Sequence, residues 1–498
     1  MLFNSLSFLI YFPVVTMLYF AIPHGYRRFL LLSASCIFYM AFIPVYILIL
    51  IFTIFVDYFA GIFIENASGR ARKVYLVFSI LANVGVLAVF KYYNFFIDNV
   101  DALAGIISWN CHIPSLSIIL PIGLSFHTFQ AMSYTIEVYR GRYKAERNFI
   151  IYALYVMFYP QLVAGPIERP HNLIHQFYEE HRFECERVAQ GLKLMLWGMF
   201  IKVAIADRLA VYVNQVYSQP AHYSGLPLMI ATVFFAFQIY CDFSGYSDIA
   251  IGAAQVMGFE LMQNFDRPYF SRSVSEFWSR WHISLSTWFR DYFYISLGGN
   301  RVPAWRWYLN LFLTFLVSGL WHGANWTFVV WGGLNGFYLI FAIWTRQIRQ
   351  RCVERIGLSG FPKVYTAFQI ACTFSLISVS WIFFRARNMT DALYILTHLF
   401  SGVYGDIMYA LSHISGLRDR FSTVFNRILL GWNHREFLAA VTGIAALWIV
   451  EWFQSNGDIR DTLFGRPRWF RWMVYYSILG LILKFGVFGM TQFIYFQF

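Results

Sequence analysis

Long apolar segments recur along the 498-residue chain, and few charged residues lie between them. Only 13% of the residues are Asp, Glu, Lys or Arg, whereas a soluble domain carries roughly 25%. So few charges cannot cover a surface against water, so lipid must surround most of the outer face. The pattern predicts an all-α integral membrane protein, because a helix satisfies its own backbone hydrogen bonds within lipid.

A helix needs about 20 apolar residues to cross the hydrocarbon layer. We therefore predict one domain over residues 1–498, a polytopic bundle of about 12 spans with re-entrant and amphipathic segments. The stretch 149–166 is apolar but contains Pro160 and Pro166, and proline disrupts a helix, so we expect it to be re-entrant and buried. The predicted spans are 6–22, 29–43, 45–64, 75–95, 116–136, 187–206, 226–256, 305–320, 326–344, 364–385, 437–454 and 472–491.

Short basic loops predict the orientation of the bundle. Loops that end at Arg28, Lys73, Arg147, Arg355 and Arg471 fall on one side if 149–166 does not cross. Lys and Arg concentrate in cytoplasmic loops, so both termini should be extracytoplasmic. These loops account for the formal net charge of +12, so the charge does not indicate nucleic-acid binding.

Two polar segments interrupt the apolar pattern. Residues 401–436 fit an extracytoplasmic insertion, and residues 259–304 combine charges with many aromatic side chains. We expect 259–304 on the cytoplasmic side, either as an interfacial anchor or folded into the bundle as amphipathic helices.

His322 is the first candidate catalytic residue. It lies in a short turn, 321–326, between two predicted spans. Burial keeps an imidazole neutral, as a general base requires; the alternative is a hydrogen-bonded interface residue. His282 should lie on the opposite side of the same two-span hairpin, and a tunnel between the faces would explain both positions.

Carboxylates within apolar segments need compensation. Asp242 and Asp248 lie in a predicted span, where a charge costs about 2.5–3.5 kcal/mol. We expect them to pair with an arginine of the 267–301 segment or to line a tunnel. Glu168 should shape the cytoplasmic mouth, and His127 is expected first as a core histidine.

Several long motifs resemble a known family. They are QLVAGPIERP at 161–170, YCDFSGYSDIAIG at 240–252, NFDRPYFSRSVSEFWSRWHISLSTWFRDYFYISLGGNR at 264–301, SGLWHGANWTFVVWGGLNG at 318–336 and the closing FIYFQF. Across essentially the whole chain, the sequence resembles the membrane-bound O-acyltransferases, in particular their bacterial branch active in alginate O-acetylation.

The resemblance implies a site and a reaction. His322 matches the catalytic histidine, with Trp321 and Asn325 beside it, and His282 matches the second signature histidine. It implies a bundle around a funnel or tunnel in the bacterial inner membrane, with acetyl-CoA as donor substrate and no bound cofactor. The acceptor is an exported polysaccharide, reached directly or through an SGNH-type periplasmic partner.

Coenzyme A is a large anion that must be presented from the cytoplasm. Arginine suits bidentate phosphate recognition. Each candidate arginine of the 259–304 segment could instead form an ion pair with Asp266, Glu276 or Asp291. No zinc-like ligand spacing is present, so we expect no metal site. The candidate donor-binding residues are Arg272, Arg280, Arg290 and Arg301.

Three other functions stay open at this point. One is transfer of D-alanine from a carrier protein to teichoic acid. Another is a non-enzymatic polysaccharide export component. A third is a lipid or protein acyltransferase of the same superfamily.

Overall fold

The structure, a computed structural model, describes residues 1–109, 113–118, 120–163, 165–411, 424–455, 465–488 and 493–496. These residues are mainly helical, and no β-strand occurs among them. In chain order the helices are α1 (Leu6–Ala21), α2 (His24–Met40), α3 (Ile47–Asn66), α4 (Gly69–Leu87), α5 (Tyr93–Ile106), α6 (Leu124–Tyr139), α7 (Phe149–Met157), α8 (Tyr159–Leu162), α9 (Pro170–Leu173), α10 (Cys185–Met199), α11 (Asp207–Ser218), α12 (Leu226–Met257), α13 (Val274–Arg280), α14 (Ile283–Trp288), α15 (Ala304–His322), α16 (Trp326–Trp344), α17 (Arg346–Arg355), α18 (Pro362–Arg385), α19 (Met389–His398), α20 (Val403–Leu411), α21 (424–429), α22 (His434–Ser455) and α23 (Arg468–Phe485).

Three π-helical turns continue these helices without a break. Ala88–Tyr92 joins α4 to α5, Phe200–Ala206 joins α10 to α11, and Phe289–Tyr294 follows α14. Such turns are rare and often occur at functional sites, because the extra residue redirects nearby side chains. The first of the three contributes to the candidate site below.

Six helical stretches in the described part of the chain are long and apolar enough to cross a membrane. α1 is a shorter apolar helix. The structure therefore confirms an all-helical protein with several spans, whereas the predicted number of twelve stays a prediction. The six stretches are Pro44–Asn66, Gly69–Ile106, Leu226–Met257, Trp326–Trp344, Pro362–Arg385 and His434–Gln454.

The outer face of the bundle is apolar, as lipid requires. Large side chains such as Phe52 on α3 and Phe78 on α4 are exposed. The proline-broken stretch 149–166 behaves differently, since Tyr152 and Tyr159 of α7 and α8 are fully buried. This burial agrees with a segment enclosed by the bundle.

α12 forms the centre of the fold. It begins with Pro227 in its first turn, where proline is tolerated because the first N–H groups have no helical partner. It ends at Gly258, whose φ of +104° suits glycine and whose N–H caps the helix. Of the six long apolar stretches, α12 is the most deeply buried, since 72% of its most apolar 18 residues lie inside the protein.

Glycines bring α10 and α12 into close contact. A Cβ on Gly198 would lie 2.6 Å from the Gly245 carbonyl oxygen, and one on Gly191 would lie 2.7 Å from that of Gly252. The pairing of 191 with 252 and of 198 with 245 makes the two helices antiparallel. Small residues allow such packing in lipid, where apolar surface alone gives little driving force for helix association.

Candidate active site

His322 is the last residue of α15 and lies where α15 meets α16. A Cβ on Gly319 would lie 3.1 Å from Cα of Gly332, so the two helices touch just before the histidine. Asn325 caps α16, and its Oδ1 accepts a hydrogen bond from the Thr327 N–H at 3.0 Å. Packing on one side and the cap on the other thus fix the backbone around His322.

The imidazole of His322 is buried among aromatic rings. Its side chain and backbone are together only 6% exposed. The ring centroids around it are those of Trp321 at 4.7 Å, Trp331 at 5.0 Å, Phe384 at 5.3 Å and Tyr495 at 5.6 Å.

The π-helical turn Ala88–Tyr92 holds the C-terminus of α15. Lys91 Nζ donates to the carbonyl oxygens of Trp321 at 2.7 Å and His322 at 2.9 Å. The Tyr92 hydroxyl donates to the carbonyl of Leu320 at 2.6 Å. Carbonyl groups at a helix C-terminus otherwise have no helical hydrogen-bond partner. A cation there also interacts favourably with the negative end of the helix dipole.

His282 lies between α13 and α14 in a left-handed backbone conformation, with φ of +43°. Such a conformation is uncommon for a residue other than glycine and is often found at functional sites. Asn264 holds the ring, because its Oδ1 lies 3.3 Å from Nδ1 of His282. The same Oδ1 accepts from the Ser284 hydroxyl at 2.7 Å, and the Asn264 amide donates to the Ser247 hydroxyl at 3.2 Å.

The tautomer of His282 follows from this arrangement. Oδ1 of Asn264 is an acceptor, so Nδ1 of His282 must carry the hydrogen and Nε2 is left as an acceptor. Burial lowers the pKa of His282 to about 3, so the ring is neutral. His282 can therefore receive a hydrogen bond at Nε2, and the neutral ring cannot donate one there to polarise a carbonyl.

Both histidines contact the same tyrosine. The Tyr495 ring centroid lies 5.6 Å from that of His322 and 6.4 Å from that of His282. The ring centroid of Phe126 lies 6.1 Å from that of His282 and 5.6 Å from that of Trp321, the residue before His322. The expectation that the histidines lie on opposite sides of a hairpin is therefore wrong, because 259–304 folds into the bundle.

We refer to His282, His322, Phe126 and Tyr495 as the histidine cluster. Three of its polar atoms are buried and make no hydrogen bond to any residue that the structure describes. These three open polar atoms are His322 Nδ1, His282 Nε2 and the Tyr495 hydroxyl oxygen. A buried polar atom left in this state is costly unless a ligand or water completes it.

The segment that carries Tyr495 is anchored to α12. The Ile494 N–H donates to Asp242 Oδ2 at 2.7 Å. The other oxygen of Asp242 lies 2.5 Å from Lys202 Nζ, which also bonds to Asp207 at 2.6 Å. Lys202 is therefore the partner of Asp242, in place of the predicted arginine. The Asp242 carboxylate helps to hold Tyr495 in the histidine cluster, because it accepts a hydrogen bond from the neighbouring Ile494.

A cavity of about 50 Å³ lies beside His322. Lys91, Gly123, Phe126 and Tyr495 contribute to its walls. Gly123 has a φ of +78°, and a Cβ there would lie 2.7 Å from a carbonyl oxygen of the buried stretch 149–166. The cavity is therefore lined both by His322 and by the partly buried Lys91.

Two wider cavities lie on another side of the cluster. One of about 370 Å³ is lined by Asp248, Phe265 and Glu451 and adjoins a second of about 1050 Å³. Phe265 lies between the first cavity and His282, with ring centroids 6.5 Å apart. Asp248 thus lines a cavity, while its place in a tunnel stays a prediction.

Comparison of the sequence with known proteins places this chain in a family. The sequence model of the membrane-bound O-acyltransferase family matches residues 142–385. A probable alginate O-acetylase of Pseudomonas aeruginosa is 40% identical over 80% of this chain and 75% of its own. Another, of Pseudomonas putida, is 35% identical over the whole of both chains. A peptidoglycan O-acetyltransferase of Helicobacter pylori is 33% identical over 84% of this chain and 83% of its own.

The chain belongs to the membrane-bound O-acyltransferase family. It is therefore a multi-pass membrane enzyme that transfers an acyl group to oxygen. A non-enzymatic export component, one of the functions left open by the sequence, is set aside.

In this O-acyltransferase, two of the four predicted donor-binding arginines form local ion pairs. Arg280 lies 2.7 Å from Glu276, and Arg290 lies 2.7 Å from Asp291. The Arg272 backbone N–H donates to Glu276 at 2.8 Å, and Arg301 is exposed. The ion-pair alternative therefore describes Arg280 and Arg290, while donor binding stays a prediction.

Glu168 and His127 are built into the core of the acyltransferase. Glu168 is fully buried and accepts a hydrogen bond from the Met262 N–H at 2.5 Å. Burial raises the pKa of this carboxyl to about 7, although hydrogen bonds oppose the shift. His127 is buried, with its Nδ1 3.2 Å from the Gly123 carbonyl, which fits the core role expected for it.

In the part of the chain that the structure describes, no three His, Cys, Asp or Glu side chains are grouped so that they could hold a metal ion.

Sequence reasoning missed four residues of the site: Lys91, Lys202, Asn264 and Tyr495. Lys91 and Lys202 each lie inside an apolar stretch. A charge at membrane depth is a functional or structural candidate by default, so this signal was available. Asn264 and Tyr495 lie in motifs quoted for the family, but nothing local to either residue indicated contact with a histidine.

Proposed function

We propose that this enzyme moves an acetyl group from a cytoplasmic thioester donor, acetyl-CoA, to an exported polysaccharide. The relatives named above are alginate O-acetylases and a peptidoglycan O-acetyltransferase, which share an acetyl group and a glycan acceptor. The observation that carries the proposal is the histidine cluster, where two buried imidazoles face one tyrosine and present open polar atoms.

His322 acts as the general base. Its open Nδ1 accepts the proton of an acceptor hydroxyl while the hydroxyl oxygen attacks the thioester carbonyl. The C–O bond forms, the C–S bond breaks, and the departing thiolate takes the proton from the imidazolium. The reaction is neutral overall and leaves His322 ready for another cycle.

His282 positions a substrate through Nε2. This atom accepts a hydrogen bond, so it suits an amide N–H of the donor's pantetheine arm or the acceptor hydroxyl. The left-handed backbone and Asn264 fix the direction of the ring, and such orientation is a large part of catalysis in an enclosed site.

The two sets of cavities suggest a route through the bundle. In the predicted orientation, the 50 Å³ cavity lies at the extracytoplasmic end of α15. The wider cavities border the start of α10 and the end of α12, which should be cytoplasmic. We propose that the donor arm enters from the wider cavities and that movement of Phe265 opens the path to His282.

The topology belongs to the same proposal. Twelve spans, a funnel or tunnel, extracytoplasmic termini and a bacterial inner-membrane location would let a cytoplasmic thioester meet an external acceptor. The acceptor hydroxyl belongs to the polysaccharide or to an SGNH-type periplasmic partner. The extracytoplasmic insertion proposed at 401–436 falls in part, at 412–423, outside the described residues.

D-alanyl transfer is the second candidate. A teichoic acid D-alanyltransferase of Streptococcus thermophilus is 29% identical over 53% of this chain and 68% of its own, a more distant likeness than the acetyltransferases show. A lipid or protein acceptor has no comparable support among these relatives.

The test is transfer of label from radioactive acetyl-CoA in inverted membrane vesicles that contain this chain. We expect label in glycan or in a periplasmic partner, and the same strain without the chain should lose acetyl groups from its exported polymer. Label from D-alanyl carrier protein, with none from acetyl-CoA, would replace the first candidate with the second.

A further inference from the structure

Acyl transfer from a thioester creates negative charge on the carbonyl oxygen. Enzymes stabilise that charge with hydrogen-bond donors already pointed at the oxygen, and this is often the largest catalytic effect. The inference below rests on the proposed function, because it assumes a thioester donor and His322 as base.

Neither histidine supplies such a donor from its open atom. His322 Nδ1 is needed as the proton acceptor, and His282 Nε2 is an acceptor because Asn264 fixes the other nitrogen as the N–H. A donor from another group at the cavity is therefore needed. Lys91, the Trp321 indole and the Tyr495 hydroxyl line the cavity and can each donate, and of these three only Lys91 can carry a positive charge.

Lys91 has the required hydrogen-bonding capacity. In its charged form, which the two carbonyl oxygens at the helix C-terminus favour, the Lys91 amine carries three N–H donors. Two of them are used by the carbonyl oxygens of Trp321 and His322, at 2.7 and 2.9 Å. The third remains, and Lys91 lines the same 50 Å³ cavity as His322.

The position of Lys91 is also fixed. Two carbonyls of one rigid helix end hold Nζ, and the ammonium lies 6.0 Å from the centroid of the Trp321 ring. A donor held this way needs little rearrangement when charge develops, which is the condition for efficient electrostatic catalysis. The cation and the base are carried by the same helix end, so their separation is set by the fold.

We propose that Lys91 is a catalytic residue whose third N–H stabilises the oxyanion of the acyl-transfer intermediate. When the hydroxyl oxygen bonds to the carbonyl carbon, its proton goes to His322 and the π electrons of the C=O bond move to oxygen beside Lys91. When the C=O bond re-forms, the C–S bond breaks and the thiolate leaves with the proton from His322. Lys91 keeps all its protons throughout.

The experiment compares Lys91→Met with Tyr92→Phe in proteoliposomes that contain the full chain and its acceptor. The readout is thiol release from acetyl-CoA, measured as kcat and as KM for the donor. Tyr92→Phe is the matched control, because it removes the neighbouring hydrogen bond to the same helix end without touching the charge.

We expect Lys91→Met to lower kcat by a factor of about 10²–10³, the loss typical when one oxyanion donor is removed. KM should change by less than about threefold, because the charge develops only during reaction. Tyr92→Phe should lose less than about threefold in either constant, and Lys91→Arg should recover part of kcat.

If both variants lose the same small factor, Lys91 only caps the helix and the proposal is overturned. If Lys91→Met does not fold, Lys91→Gln gives the same comparison, since its amide still donates to a carbonyl but carries no charge. Full kcat in that variant overturns the proposal too.

His322→Ala separates this proposal from the proposed function. If His322→Ala abolishes thiol release but Lys91→Met does not, only the role of Lys91 fails. If wild-type protein releases no more thiol than His322→Ala, the thioester mechanism fails and the role of Lys91 fails with it.

Discussion

Two buried polar regions of this acyltransferase differ in the kind of contact that their side chains make, which is ion pairing in the first and ring packing in the second. In the first, Lys202 lies between Asp207 and Asp242, at 2.6 and 2.5 Å, and Asp242 also receives the Ile494 N–H. We call Lys202, Asp207 and Asp242 the lysine cluster. The histidine cluster is the second region, and there three polar atoms are open.

The difference distinguishes side chains that stabilise the fold from side chains that remain able to bind a ligand. A buried charge that is paired and hydrogen-bonded holds structure together, and removal of one partner is costly. A buried polar atom that is open keeps its capacity for a ligand. The lysine cluster thus supports the segment that carries Tyr495, whereas the histidine cluster is the part that we propose to contact substrate.

His322→Gln should have the largest effect on activity. The amide keeps much of the volume but cannot act as a base, so the rate of acetyl transfer should fall by about 10²–10⁴. Thermal unfolding in detergent and yield in the membrane should stay near those of the wild type. A variant that unfolds or fails to accumulate would show that the residue supports the fold.

Lys202→Met should have the largest effect on stability. It leaves Asp207 and Asp242 buried without their cation, which costs about 3–5 kcal/mol. Unfolding in mixed micelles with increasing SDS measures this change. Lys363→Met, at an exposed site on α18, is the control and should change stability by less than about 0.5 kcal/mol. Equal stability of the two variants would remove the lysine cluster from its supporting role.

His282→Asn should impair use of the donor while the fold is kept. Asparagine accepts a left-handed backbone, so the φ of +43° remains available to it. We expect kcat/KM for acetyl-CoA to fall roughly 10- to 100-fold, the scale of a misplaced substrate. His127→Asn, also buried, should lose less than threefold, and unchanged kinetics in His282→Asn would exclude it from the site.

Arg280→Gln and Arg290→Gln should have the smallest effect. Both arginines form partly exposed pairs with neighbouring carboxylates, and such pairs contribute about 0–1 kcal/mol. Donor KM should change by less than twofold in either variant. A tenfold rise in KM, without a change in stability, would instead confirm the prediction that these arginines bind the donor phosphates.

Apolar length predicted helices well where lipid or the core covers a whole segment. The predicted spans 226–256 and 326–344 correspond to α12 and α16 within two residues. The prediction for 116–136 was less accurate, because α6 begins only at Leu124, after Gly123 in a left-handed conformation. Apolar residues before that point line a cavity and need no helix.

The candidate site was predicted in part for a similar reason. His282 and His322 could be selected because each stands out from its local sequence. Their common contact with Tyr495 depends on which helices meet, and no local pattern records that. Asp242 was expected to pair with an arginine of 267–301 or to line a tunnel. Its partner is Lys202, because packing of α10 against α12 brings the π-helical turn after α10 beside Asp242.

The order in which Lys91 and the members of the histidine cluster occur along the chain has a consequence for synthesis. Residues 91, 126, 282, 322 and 495 emerge from the ribosome far apart in time, so the earlier helices must enter the membrane before the pocket exists. The rings of His282 and His322 can acquire their common neighbour Tyr495 only after the last helix has been made.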